Sequence, residues 1–185
     1  MKKIVIIFII VIVCTIVFVV LRSRGLLGKT GGPVATPTPM PGVYRGVVPG
    51  SSTENDVLKS LGDPTRKDNI GQMTALVYPS DVGDQPINVE VGTDNTVTRI
   101  VEPISAIVRF ADVSKELGAP DMILYGIFEE LGFRLYTYLA KGIALLANPD
   151  TQEIKERWYF RPTNAATFTT LIAPGLSTVR TPGKQ

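Results

Sequence analysis

The chain has 185 residues, and its 19 basic and 17 acidic side chains give a formal net charge of +2. It contains no histidine and one cysteine, which excludes a His/Cys metal site, a catalytic pair or triad that needs histidine, and an intramolecular disulfide. All 17 acidic residues but only 14 of the basic ones lie beyond Pro33, so that part carries a net charge of −3, which excludes a basic nucleic-acid-binding footprint.

Residues 1–24 are predicted to form an uncleaved, single-pass membrane anchor. An uncharged run of eighteen residues extends from Ile4 to Leu21, and as a helix it would be about 27 Å long, close to the hydrocarbon core of a bilayer. A cleaved signal peptide is one alternative, but its apolar region is normally shorter and small residues precede the cut. A lipoprotein signal is the other, but Cys14 lies in the middle of the run.

Residues 25–42 are predicted to be a linker, since four prolines and five glycines in eighteen residues prevent a helix or a central strand. Basic residues flank the apolar run on both sides, so the positive-inside rule hardly discriminates between orientations. However, Lys2 and Lys3 before an apolar run are typical of an export signal, and a Thr/Pro-rich linker suits an extracytoplasmic spacer. The sequence therefore predicts a cell (inner) membrane protein with its C-terminal body outside the cytoplasm.

One motif, Asp-Val-x-x-x-Leu-Gly-x-Pro, occurs twice, and its copies begin 56 residues apart at Asp56 and Asp112. In the first copy, Thr53 can cap a helix N-terminus, Gly62 can end the helix and the following proline prevents its continuation. In the second copy Arg109 takes the place of the threonine, which predicts an earlier helix start, near Ser105. Two similar units of this length indicate that one building block was duplicated.

The first repeat is predicted over residues 43–103, and the second over residues 104–162. After its helix, the first repeat contains apolar or alternating stretches that predict three strands, at residues 73–79, 86–91 and 96–102. The second repeat is predicted to contain a helix at residues 105–117. Four strands are predicted to follow it, at residues 122–128, 133–139, 143–147 and 153–160. Residues 163–185 show no period and predict a tail that is partly ordered at most. Whether the repeats share one sheet stays open.

The pattern Pro-Gly-x-x-Thr-x-x-x-Val-Leu-x-x-Leu-Gly-x-Pro, which begins at Pro49, resembles the SmpA/OmlA (BamE-like) domain. The pattern Tyr138-x-x-x-Gly142-Ile143, with a later strand that ends Phe160-x-Pro162, resembles the second half of the same domain. The resemblance covers residues 49–162 and implies an α+β fold with helices on one face of an antiparallel sheet. Tandem copies resemble the β-lactamase-inhibitor-protein architecture. The chain has a predicted transmembrane anchor in place of the family's lipid anchor, so a role in outer-membrane protein assembly is not carried over.

The second repeat also predicts a candidate protein-binding face. Strand alternation places Arg134, Tyr136 and Tyr138 on one side of their strand, and Arg157 and Tyr159 on one side of theirs. If the apolar sides pack under the helices, these five residues form an exposed surface of types that anchor protein interfaces. The alternative is that the tyrosines pave a solvated sheet or face the other repeat.

The carboxylates of the chain predict neither an acid–base catalytic site nor a calcium site. Glu129 and Glu130 are adjacent on a predicted turn or strand end, where neighbouring side chains point in different directions, and the spacing of Asp63, Asp68, Asp81 and Asp84 matches no EF-hand. No catalytic, metal or cofactor-binding residue is predicted, and no cofactor, nucleic acid or small-molecule substrate is expected. The predicted function is a non-enzymatic, membrane-anchored protein-interaction or envelope scaffold module. The alternative is an inhibitor or regulator of a secreted or envelope enzyme.

Overall fold

The computed structural model describes residues 42–104 and 108–180. The predicted anchor over residues 1–24, and the linker apart from its last residue, lie outside the described residues. Within the part that is described, no helix is long and apolar enough to cross a membrane.

The described chain is an α+β fold built on one antiparallel sheet of eight strands. The strands are β1 (Arg66–Ile70), β2 (Met73–Tyr78), β3 (Ile87–Val91), β4 (Val97–Pro103), β5 (Met122–Leu124), β6 (Arg134–Tyr138), β7 (Ile143–Ala147) and β8 (Ile154–Phe160). Their order across the sheet is β1-β2-β3-β4-β8-β7-β6-β5. The last strand of the first half, β4, therefore pairs with the last strand of the second half, β8, and the two halves share one continuous sheet.

The helices are short and lie between or after the strands. They are α1 (Glu54–Leu61), α2 (Phe110–Leu117) and α3 (Ala165–Thr167), which continues as a π-helical turn (Phe168–Ile172). Two 3₁₀ helices are Ile127–Leu131 and Leu139–Lys141.

The start of α1 agrees with the predicted threonine cap. The Thr53 hydroxyl accepts a hydrogen bond from the Asp56 amide at 3.4 Å, and the Asp56 carboxylate accepts one from the Thr53 amide at 2.9 Å. These bonds satisfy donors that the first turn of a helix leaves free. The hydrogen bonds from the Thr53 amide and hydroxyl also hold the pKa of Asp56 below its usual value.

Both α1 and α2 end on a glycine with nearly the same backbone conformation. Gly62 has φ 81° and ψ −163°, and Gly118 has φ 83° and ψ −161°. This region of conformational space is essentially restricted to glycine, which explains why both copies of the motif carry one. The start of α2 differs from the prediction, because Arg109 is extended and the helix begins at Phe110 rather than near Ser105.

Two further predictions about local structure were wrong. The predicted strand over residues 122–128 ends at Leu124, because a 3₁₀ helix begins at Ile127. The residues after Pro162 were predicted as a tail that is partly ordered at most. Instead, residues 163–180, here called the C-terminal segment, contain helical turns and side chains that are completely buried, such as Phe168.

The helices and the C-terminal part of the chain pack on opposite faces of the sheet. On the helix face, α1 packs through Val57 on Leu76, Val89 and Ile100 of the first half. On the same face, α2 packs on the second half. On the opposite face, here called the segment face, the C-terminal segment covers the second half. Each large apolar side chain removed from water contributes about 1.5–3 kcal/mol, so the C-terminal segment is an integral part of the fold.

Candidate functional site

The predicted binding face is not an exposed surface. Tyr136, Tyr138 and Tyr159 are 5%, 2% and 8% exposed, and α2 covers the first of them, since the rings of Phe110 and Tyr136 are 4.4 Å apart. The strand alternation was right, but the assumption about which side the helices cover was wrong. Only the two arginines of that set, Arg134 and Arg157, are half-buried rather than buried.

The covering is reversed because both sides of the second half are apolar. Leu135, Leu146 and Trp158 project from the segment face, and there they pack against Phe168 and Ile172. The tyrosine side carries enough apolar surface to accommodate α2. The alternation in the sequence therefore assigned these side chains to the correct faces of the sheet. It could not show which element packs on each face.

Tyr159 joins the two halves of the sheet on the helix face. Its hydroxyl donates to Glu102 Oε2 at 2.7 Å, and its ring centroid lies 5.3 Å from that of Tyr44. Burial, followed by the negative charge of Glu102, raises the pKa of Tyr159 far above its ordinary value. These contacts stabilise the junction of β4 and β8, so Tyr159 has a structural role.

The described chain has a groove of about 770 Å³. It lies at the end of the sheet where the β1–β2 and β3–β4 turns approach the C-terminal segment. Gln72 and Asp94 come from these turns, and Asn164, Thr167 and Leu171 come from the C-terminal segment. Its volume falls in the range of pockets that bind small ligands or short segments of a partner.

Local hydrogen bonds fix both walls of this groove. In the β3–β4 turn, Asp94 Oδ1 accepts from the Thr96 amide at 3.1 Å, and the Gly92 amide donates to the Thr96 carbonyl at 2.9 Å. In the opposite wall, Asn164 Oδ1 accepts from the Thr167 amide at 2.9 Å and so caps α3. The groove is therefore formed by ordered backbone before any ligand arrives.

A mostly buried arginine ties the C-terminal wall to the sheet. Arg99 on β4 donates from Nε and from its terminal nitrogen to the two carboxylate oxygens of Glu90, at 3.0 and 2.5 Å. Its other terminal nitrogen donates to the Ile172 carbonyl at 2.6 Å, and the guanidinium lies 4.4 Å from the Trp158 ring centroid. Sequence reasoning did not identify this pair. The available signal was opposite charges on neighbouring strands that alternate with apolar residues.

The carboxylates considered in the sequence do not converge. Glu129 forms an ion pair with Arg180, Glu130 is exposed, and Asp68 pairs with Arg66 at 2.8 Å. Within residues 42–104 and 108–180, no group of three or more acidic, histidine or cysteine side chains could hold a metal ion.

The described chain is therefore an α+β protein with one eight-stranded antiparallel sheet and a groove at one end of that sheet. No family model and no curated protein matches the sequence. Two solved structures are similar in part. One is a DUF4309 family protein (YjgB) from Bacillus subtilis subsp. subtilis str. 168, with a TM-score of 0.48 and 18% identity over 64% of this chain and 84% of that one.

The other is an extracellular protein containing a SCP domain from Bacillus anthracis str. Ames, with a TM-score of 0.46 and 16% identity. That similarity covers 68% of this chain and 47% of the other, so the chain spans about half its length. Neither structure is a SmpA/OmlA (BamE-like) protein or a β-lactamase inhibitor protein, and the resemblance to those proteins stays a prediction.

Proposed function

We propose that the chain is a non-enzymatic, membrane-anchored module outside the cytoplasm that binds an extended peptide segment of a partner protein in the groove. The observation that carries the proposal is the groove itself, with walls formed by two sheet turns and by the chain's own C-terminal segment. The anchor over residues 1–24 and the extracytoplasmic position of the body belong to the same proposal.

The lining of the groove favours a peptide over other ligands. Hydroxyl and amide groups, such as those of Thr98, Gln72 and Asn164, can exchange hydrogen bonds with a peptide backbone, and Met73 and Leu171 offer apolar contact to its side chains. Among the described residues that line the groove there is no aromatic ring, the usual stacking partner of a sugar or base. The lining also lacks a pair of titratable groups suited to acid–base catalysis.

The element order supports the proposal that the body is a tandem of two similar units of the BamE-like type. Each half has a helix followed by four strands, and both motif helices end on a glycine of the same conformation. The residue before each helix also forms an equivalent bridge, Thr53 to Thr96 in the first half and Arg109 to Glu153 in the second.

A displayed library of random peptides, presented to the full-length protein in mild detergent, tests the proposal. We expect enrichment of short linear sequences that bind the wild-type protein. Leu171 is 63% exposed in the groove, and Leu171→Ser should weaken the selected peptides about tenfold, since burying such a side chain is worth roughly 1.5 kcal/mol.

Ile127→Ser is the matched control, because Ile127 is 94% exposed and does not line the groove. This variant should bind the peptides as the wild type does. A library that yields no binder, or binders that depend on Ile127 and not on Leu171, would refute the proposed site.

A further inference from the structure

We infer that Arg161 is a carboxylate anchor in the groove, so that the preferred peptide presents an acidic side chain or a free C-terminus at this point. This inference rests on the proposed function and specifies the chemistry of its ligand. Arg161 directly follows β8, is exposed and lines the groove.

The charge of Arg161 is not neutralised by the fold. Within the described chain it forms no ion pair, whereas Arg66, Arg99 and Arg180 each contact a carboxylate. It is the one basic side chain among the described residues that line the groove. The one acidic side chain there, Asp94, already accepts a hydrogen bond from its own turn. Arg161 is therefore the one positive charge that the described lining offers to a ligand, beside the negative charge of Asp94.

The stem of Arg161 packs directly against Gly50. A Cβ atom at residue 50 would lie 2.5, 2.8 and 2.9 Å from Cδ, Cβ and Cγ of Arg161, closer than any normal contact. Gly50 itself has φ +80° and donates its amide to the Val97 carbonyl at 2.7 Å. The arginine side chain therefore lies directly against backbone, which restricts its rotamers and lowers the entropy cost of binding.

The ligand group that fits is a carboxylate. A guanidinium donates two parallel hydrogen bonds to a carboxylate, and such charge-assisted bonds are stronger than neutral ones. A doubly charged phosphate normally recruits a cluster of basic residues, and the described lining of the groove supplies a single one. The surrounding hydroxyl and apolar groups remain for the rest of the peptide.

The test uses peptides selected from the random library, each synthesised with its acidic residue, with the neutral amide in that position, and with a free or amidated C-terminus. We expect Asp, Glu or a free C-terminus to be enriched. Arg161→Gln should weaken the acidic peptide about tenfold or more and leave the amide analogue unchanged. Arg66→Gln removes the same charge from an exposed arginine outside the groove and should have no effect.

The positioning by Gly50 is tested by Gly50→Ala against Gly46→Ala. Gly46 has a similar φ of +85°, but a Cβ there would meet only Ser60 Oγ, at 3.9 Å. Both variants therefore carry similar backbone strain, and only the first displaces Arg161. Under conditions in which both variants are folded, Gly50→Ala should lose more affinity for the acidic peptide than Gly46→Ala does.

The two proposals fail in different ways. If peptides are selected and depend on Leu171 but show neither acidic enrichment nor a response to Arg161→Gln, the groove is a peptide site and the carboxylate anchor is refuted. If the library yields no binder, the proposed function fails and the anchor fails with it.

Discussion

Replacing Arg99 by methionine tests how the C-terminal segment is held on the sheet. The side chains of Arg99 and Glu90 are 17% and 8% exposed, so the substitution leaves a carboxylate in the interior without its partner. Breaking a buried pair in this way costs about 3–5 kcal/mol. The Ile172 carbonyl loses its donor as well. Because a domain of this kind is typically stable by only about 5–15 kcal/mol, we expect Arg99→Met to lower the midpoint of unfolding strongly.

Urea unfolding of the full-length protein in detergent measures this effect through the fluorescence of Trp158, the single tryptophan of the chain, which lies against Arg99. The control is Arg66→Met, which breaks an exposed pair with Asp68 and should cost at most about 1 kcal/mol. The double variant Arg99→Met/Glu90→Leu should recover most of the loss, since no charge is then left unpaired. The reasoning is refuted if Arg99→Met costs no more than the control, or if the double variant is as unstable as the sum of its single changes.

Three further predictions concern the backbone and the interior. Gly142→Ala should cost about 2 kcal/mol more than Gly71→Ala in urea unfolding, because the two residues have φ of +63° and +62° but only at Gly142 would a Cβ overlap the Phe160 carbonyl oxygen; equal costs would contradict this. Thr53→Ala should cost about 1 kcal/mol by removing the cap of α1, and Thr53→Ser, which keeps the hydroxyl, should retain most of the stability. Burial raises the pKa of five tyrosines above 10.0, so their neutral form is favoured in the fold. The contribution of these tyrosines to the free energy of unfolding is therefore complete below pH 10.0. It is lost as the pH rises through their pKa values in the folded state. Urea midpoints that do not fall above pH 10.0 would contradict this. The five tyrosines are Tyr44, Tyr78, Tyr136, Tyr138 and Tyr159.

Elements with local signals were predicted well from the sequence. The cap at Thr53, the stop at Gly62 and strands β2 to β4 each depend on neighbouring residues, and the structure agrees with them. Strand β1 was missed because its sequence, RKDNI, is almost entirely polar. It forms as the edge of the sheet, where one side of the backbone pairs with β2 and charged side chains discourage pairing with another chain.

The candidate site depended on contacts between distant parts of the chain, which the sequence could not resolve. The C-terminal segment carries Phe168, Ile172 and Leu176 at intervals of four, a spacing that is typical of the buried side of a helix. Its position on the sheet, however, depends on contacts with Leu135, Leu146 and Trp158, which are distant in the sequence. The groove forms only when the C-terminal segment packs on the segment face, so none of its walls was predicted as a site.

The two halves of the sheet have the same strand order but differ on the segment face, and this difference creates the groove. In the first half, Ala75 on β2 pairs with Glu90 on β3, whereas in the corresponding strands of the second half Leu135 pairs with Leu146. The second half thus presents large apolar side chains that a covering segment can bury, and the C-terminal segment packs there. Arg99 of the first half contacts the edge of that segment at Ile172. Glu90, which takes the place of Leu146, supplies the carboxylate that binds Arg99. The side of the segment that lines the groove faces the β1–β2 and β3–β4 turns of the first half. The proposed peptide would lie between them. The first half therefore has a small and a charged residue, Ala75 and Glu90, where the second half has an apolar pair. This difference explains why the C-terminal segment packs on the second half. It also explains how Arg99 can hold the wall of the groove that this segment forms.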